Sequence, residues 1–397
     1  MLHFNFQSCS QLTLEYRIFT PKFFASMRPT RAEINLSLLQ SNLKNIRTKV
    51  GKNVNIMGIV KANAYGHGLV EISKSLVNFG VEYLGVGFLE EGIELRTAGI
   101  TSPILVLGGV LGTQVQKFLS FDLEITVSSL ELAERINDEV AKSNGRKARV
   151  HLKIDTGMER LGIHSEHAVT FAEKVARLPK LDVVGIFSHF ASSEKDKSFT
   201  QFQLQQFTSI LEQLEKKNIE IPFKHIANSG AILNGSDSYF NIVRPGIMMY
   251  GVYPSREAEK TISVMPILSL KSKIVYLKEV AANKSISYGR TYFTNRTSRI
   301  ATIPIGYGDG YFRTLSNNVD VLINGKRFPS VGTICMDQMM LDVTDGENIH
   351  VGDDVTLIGK DGNEEISVEE LANKIGTNSY EVLTNISTRV PRVYING

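Results

Sequence analysis

From residue 35 onward, short β-rich apolar runs alternate steadily with stretches whose apolar residues recur at helical spacing. The runs that read as strands cover 55–61, 82–87, 103–108, 122–126, 149–155, 182–189, 223–228 and 241–244. Between them, 38–50, 69–79, 129–142 and 199–216 carry amphipathic helical patterns. Such alternation over about two hundred residues predicts a (β/α)8 TIM barrel. An open doubly wound sheet would carry a glycine-rich fingerprint after its first strand, and Lys61-Ala62-Asn63-Ala64 is not one. Beyond about residue 261 the texture changes to short alternating runs at 268–277, 299–304, 319–323, 338–343 and 354–358. Asn324-Gly325 and Asp361-Gly362 punctuate them as turns. This predicts a C-terminal mostly-β domain with one late helix at 368–375.

The domain expectation is therefore a barrel over 27–254, whose first residues are free to join the β domain, and a β domain over 255–397. Residues 1–26 read as an extension of little functional weight. Polar residues such as Asn5, Glu15 and Arg17 interrupt their apolar positions too often for a signal peptide.

Composition narrows the classes. With 42% hydrophobic and 21% charged residues the chain can bury large cores. A formal charge of +3, from 44 basic and 41 acidic side chains, gives no reason to expect nucleic acid or an anionic membrane as partner. No uninterrupted apolar run approaches the roughly 18 residues of a membrane span. Cys9 and Cys335 fit no metal or redox spacing, which points to a reducing, cytoplasmic compartment and to no metal site.

Barrel chemistry collects at the C-terminal ends of the strands. Here those ends carry Lys61 with Tyr65 one turn on, then Lys153-Ile154-Asp155 leading to Arg160, then Ser188-His189, Asn228-Ser229-Gly230 and Arg244-Pro245-Gly246-Ile247. A lysine surfacing from an apolar strand ordinarily just snorkels to water. In apolar surroundings, however, its amine becomes nucleophilic enough to form a Schiff base. Ser229 at a helix start and the Gly246-Ile247 turn offer a hydroxyl and free amides to a phosphate, although an N-cap serine and a glycine turn explain them equally well.

The stretch Val60-Lys61-Ala62-Asn63-Ala64-Tyr65-Gly66-His67-Gly68 resembles the cofactor-lysine motif of alanine racemases, and the likeness runs from about Arg28 to the C-terminus. It implies pyridoxal 5′-phosphate attached at Lys61, with Tyr65, Ser229, Gly246, Ile247 and Tyr380 holding the cofactor phosphate and Asn228 also binding the cofactor. It further implies His189 against the pyridine ring and Arg244 at the ring nitrogen. A guanidinium there only donates, which weakens the electron sink and favours plain proton exchange over decarboxylation or transamination. Arg160, in Asp155-Thr156-Gly157-Met158-Glu159-Arg160, resembles a substrate-binding arginine supported by Lys153, a lysine carbamylated in some relatives.

Racemisation removes a proton from one face and returns it to the other, so a second acid/base is expected. Tyr288, in Ser287-Tyr288-Gly289-Arg290, matches the family's catalytic tyrosine. Tyr307, Met336 and Asp337 match residues at the entrance and near the substrate carboxylate, although Gly-Tyr-Gly-Asp-Gly stands where Gly-Tyr-Ala-Asp-Gly is common. The resemblance implies a homodimer with shared active sites, small-molecule L- and D-alanine as substrates, and D-alanine supplied to peptidoglycan. Serine or broader racemase specificity, and a barrel-type decarboxylase, are the alternatives.

Overall fold

The computed structural model describes residues 28–142 and 146–397, so the expectation for 1–26 lies outside the described residues. Eight parallel strands close the first half of the chain: β1 (Asn55–Ile59), β2 (Tyr83–Val86), β3 (Ile104–Val106), β4 (Glu124–Val127), β5 (Ala148–Asp155), β6 (Leu181–Phe187), β7 (Phe223–His225) and β8 (Ile242–Val243). Each pairs with the next from β1 to β7, and β8 returns to β1 through Ile242 opposite Asn55. The Arg244 amide completes the seam by donating to Ala227 O at 2.9 Å. Strands β2, β3 and β4 are buried along their whole length, because one face meets the barrel interior and the other the helix layer. Helices Leu36–Val50, Leu69–Asn78, Leu130–Lys142 and Lys197–Lys216 occupy the stretches read as helical from the sequence.

The C-terminal part holds two larger sheets. One runs in the order Lys326–Pro329, Asp320–Ile323, Asp354–Asp361, Leu268–Lys273, Arg31–Asn35, Arg392–Ile395. Arg31–Asn35 thus leaves the barrel segment, pairing antiparallel with Leu268–Lys273 and parallel with Arg392–Ile395. The run read as one strand over 268–277 is broken at Ile274, and Tyr276–Val280 joins a separate sheet with Ser298–Ile303 and Met339–Asp342.

Two late helices form rather than one. Val368–Ile375 is followed by Ser379–Asn385, which starts where Asn378 Oδ1 accepts the Glu381 amide at 3.0 Å. That second helix packs on the mouth of the barrel, with the Tyr380 ring 5.9 Å from Tyr65. Among the described residues no helix is long and apolar enough to cross a membrane.

Candidate active site

The chain leaves β1 at Val60 and enters a left-handed turn. Ala62, Asn63, Ala64 and Tyr65 all have φ between 52° and 55°, and Gly66 follows at 83°. A left-handed run costs L-residues roughly 1–2 kcal/mol each, so local propensity opposes it and tertiary contacts impose it. Glu91 Oε1 accepts the Ala62 amide at 2.6 Å, and Asn63 Oδ1 accepts the Leu69 amide at 2.8 Å. The buried His67 ring donates from Nδ1 toward the carbonyls of Ala64 and Tyr65 at 3.0 and 2.9 Å. From the C-terminal sheet, Arg392 Nε donates to Gly66 O at 2.9 Å and Tyr394 Oη to His67 O at 3.1 Å. A side chain on Gly66 would overlap the Leu383 carbonyl, which fixes glycine there.

The turn presents Lys61 and Tyr65 to a cavity of about 500 Å³ at the C-terminal end of the barrel. Among the described residues, Lys61, Lys153, Arg160 and Arg244 line it against the single acid Glu194, so basic groups predominate. Burial lowers the Lys61 amine from its ordinary range, and Arg160 lowers it further, while Glu91 works in the opposite direction. Both lowering effects favour the free base of Lys61 over its ammonium form.

Arg244 is 4% exposed and heavily held. Its Nη2 donates to Ser188 O at 2.7 Å, Ile226 O at 3.0 Å and His189 Nδ1 at 3.0 Å, and its Nη1 donates to His225 Nδ1 at 2.8 Å. Burial, and then the neighbouring Arg160, bring the guanidinium down to about 9, which leaves it cationic at neutral pH. His189 is pushed well below its usual value by burial and then by the Arg244 charge, so it is a neutral ring at the cavity wall.

Across the cavity, Asn228 caps the helix Ser229–Asn234 by accepting the Ala231 amide at 3.0 Å. Ser229 Oγ accepts the Gly246 amide at 2.9 Å, which leaves its hydroxyl hydrogen free to donate. Gly246 leads into the short turn Ile247–Tyr250, and a Cβ on Gly246 would stand 2.6 Å from Tyr65 Oη. Burial raises the phenols of Tyr65 and Tyr380, so both remain neutral donors.

The loop after β5 is folded by Asp155, whose Oδ1 accepts the amides of Gly157, Met158 and Glu159 at 2.8–3.2 Å while Oδ2 accepts that of Arg160. Burial acts to raise the Asp155 carboxyl, but these amides outweigh it and hold it below the usual range. The result aims Arg160 at the cavity. Lys153 donates to Ile154 O at 2.8 Å, and burial followed by the Arg244 charge brings its amine down to about 7.

Four sequence-predicted residues stand elsewhere. Tyr288, Tyr307, Met336 and Asp337 do not line this cavity. They lie on neighbouring loops of the C-terminal part, where Tyr288 O accepts from Thr333 Oγ1 at 2.8 Å and the Tyr307 amide donates to Cys335 O at 3.0 Å. Tyr288, Met336 and Tyr307 are 73%, 52% and 42% exposed, an unusual amount of apolar surface in one place. Conversely, Glu91 and Glu194 belong to the site and were not singled out from the sequence. Glu91 follows the end of β2 within a helix start, which is the same strand-end position that exposed Lys61.

Residues 34–254 match the alanine racemase N-terminal domain and residues 267–394 the alanine racemase C-terminal domain. The chain is 48% identical over 370 residues to the alanine racemase of Halothermothrix orenii, covering 93% of this chain and 97% of that one. The chain belongs to the alanine racemase family. Among solved structures of that family, the alanine racemase of Clostridium difficile 630 superposes with a TM-score of 0.89 at 43% identity, over 92% of this chain and 96% of that one. The alanine racemase of Bacillus anthracis, solved with bound L-Ala-P, gives 0.87 at 36% identity over 93% and 96%.

Members of the alanine racemase family generally use pyridoxal phosphate, and the cavity suits it. An aldehyde needs an amine whose protonated form is disfavoured, and burial and then Arg160 act in that direction on Lys61. A phosphate needs hydroxyl and amide donors, which Ser229, Tyr65 and the start of the Ile247 turn provide.

Proposed function

We propose that the protein interconverts L- and D-alanine with pyridoxal 5′-phosphate held by Lys61, Tyr65, Asn228, Ser229, Gly246, Ile247 and Tyr380. The observation that carries this reading is the convergence of a burial-depressed lysine and a buried guanidinium on one cationic cavity. When bound, the cofactor supplies the electron withdrawal that acidifies the α-hydrogen of an amino acid. Arg244 supports the racemase assignment over a decarboxylase. A guanidinium only donates and has no acceptor for a protonated ring nitrogen, so beside it that nitrogen would stay unprotonated. Arg160, which has no side-chain hydrogen-bond partner among the described residues and lines the cavity, would receive the substrate carboxylate.

The Lys61 amine holds or accepts the proton on one face of the substrate. On the other face, the exposed Tyr288 of a second copy of the chain serves, since Tyr288 of the same chain stands outside the cavity. This makes a homodimer the catalytic unit, with Tyr307, Met336 and Asp337 at the shared entrance. Glu91, held in place by three backbone amides, restrains the Lys61 turn during both half-reactions. The Lys153 amine, brought down to about 7, is available for the carbamylation that would anchor Arg160. The product would feed peptidoglycan from the cytoplasm.

A D-amino-acid oxidase-coupled assay across L-Ala, L-Ser and L-Lys tests the activity. Fast turnover of L-Ala alone is expected, comparable turnover of L-Ser would move the reading to a broader racemase, and carbon dioxide release without D-product would make it a decarboxylase. In Tyr288→Phe, solvent deuterium incorporation should fall unequally from the two enantiomers; equal slowing with no directional difference would sink the two-base scheme.

A further inference from the structure

The barrel interior carries a second polar system that the reaction does not use directly. Arg244 Nη1 donates to His225 Nδ1, His225 Nε2 lies 3.0 Å from His151 Nδ1, and His151 Nε2 lies 2.9 Å from Glu124 Oε2. Tyr83 Oη donates to the other carboxylate oxygen at 3.2 Å, and Arg149 Nε stands 3.4 Å from it. Glu124 begins β4, His151 sits mid-way along β5, His225 ends β7 and Arg244 follows β8. The chain of contacts therefore runs the length of the barrel, from its N-terminal end to the cofactor cavity. Glu124, His151 and His225 have no exposed surface at all.

Two features show that the fold makes room for this system. A Cβ on Gly185, the β6 residue paired with His151, would overlap the imidazole, and the β5–β6 register shifts at that point. The Phe187 ring stacks on His225 at 4.8 Å and 4°, fixing its plane.

The chemistry of the ends dictates the middle. Arginine only donates and a carboxylate only accepts, so a chain between them has one consistent pattern: both imidazoles neutral, each protonated on Nε2. A buried charge is costly unless compensated, and among the described residues only Glu124, of the acids near Arg244, is joined to it through an unbroken buried chain. We propose that Glu124, acting through His151 and His225, is the buried counter-charge that orients Arg244 and sets how strongly its guanidinium donates into the cofactor site. Glu124, His151 and His225 are positioning residues. The inference rests on the pyridoxal reading only for what Arg244 faces, not for the chain of contacts itself.

Two measurements test it. Nitrogen-15 spectra of histidine-labelled full-length protein, recorded with and without pyridoxal 5′-phosphate, should show His151 and His225 as neutral Nε2–H rings. An Nδ1–H or doubly protonated ring at either position overturns the proposal whether or not the protein is a racemase. The second measurement uses Glu124→Gln, which keeps an acceptor for His151 and removes the charge. It should still bind pyridoxal 5′-phosphate, with the pH midpoint of its visible band moved by about half a unit or more. Its kcat for alanine should fall roughly tenfold or more with KM nearly unchanged, as outer-shell partners of charged sites commonly behave. A visible band and kcat matching the parent protein overturn the proposal. If Glu124→Gln does not fold, Tyr83→Phe weakens the same carboxylate's hydrogen bonding and should move the band by less; no movement there counts against the proposal as well.

Discussion

Replacing Glu91 by glutamine separates the strain and the electrostatics of the lysine turn. Glu91 spends one oxygen on the Ala62 amide and the other on the amides of Gly87 and Phe88, at 2.7 and 3.2 Å. Glutamine has a single acceptor oxygen, so one side must lose its partner and face an NH2 group instead. A lost bond to a charged acceptor costs about 1.5–3 kcal/mol. The four left-handed residues store roughly 4–8 kcal/mol of conformational strain between them. Their restraint therefore loses a sizeable fraction of what opposes it. Opening of the turn should become about ten- to a hundredfold easier, which hydrogen–deuterium exchange reads as faster exchange of amides 62–68 with the barrel strands unchanged. The charge has its own signature. Glu91 raises the Lys61 amine against the lowering effects of burial and Arg160, so its removal must lower that amine further. The pH profile for acylation of Lys61 in the cofactor-free protein should move to lower pH. Unchanged exchange at 62–68, or a profile that moves upward, would refute this account of the turn.

Three further outcomes follow from the same structure. Ser229→Ala removes the acceptor of the buried Gly246 amide and a donor to the cavity, so pyridoxal 5′-phosphate affinity should drop roughly tenfold or more by titration of the cofactor-free protein. Gly246→Ala places a Cβ 2.6 Å from Tyr65 Oη; the ring must move, and affinity should fall without any change in Lys61 acylation. Burial holds His67 down to about 4 from 6.5. Between those values the unfolded chain binds the extra proton, so this stability is complete above pH 6.5 and is lost as pH falls toward 4. The shift is worth about 3 kcal/mol, and His67→Asn should flatten that part of the denaturation profile measured against pH.

The strands and long helices were legible because their apolar periodicity is local, and each strand read in the barrel has a counterpart, although Ile104–Val106, Phe223–His225 and Ile242–Val243 are half as long as the runs read at 103–108, 223–228 and 241–244. The helix Ser379–Asn385 was not, since seven residues carry too little periodicity, and only the Asn378 cap marks it. The left-handed turn at Ala62–Tyr65 could not be read at all. No non-glycine sequence prefers it, and the residues that impose it lie 29 positions away at Glu91 and 327 away at Tyr394. Strand-end reasoning reached Lys61, His189, Ser229 and Arg244, which the fold brings to one cavity. It passed over Glu124 and His151, because polar residues inside a strand look like exposed positions until the barrel closes around them. Tyr288 illustrates a different boundary: its match to the family was readable, but its place is away from the cavity of its own chain.

Lys61 is the proposed point of attachment in this cavity. Borohydride treatment of the protein loaded with pyridoxal 5′-phosphate, followed by peptide mass mapping, tests it directly. A single pyridoxyl adduct is expected on the peptide containing Lys61, with none there in Lys61→Ala; an adduct on Lys153 or elsewhere, or none, would rule Lys61 out as the attachment point.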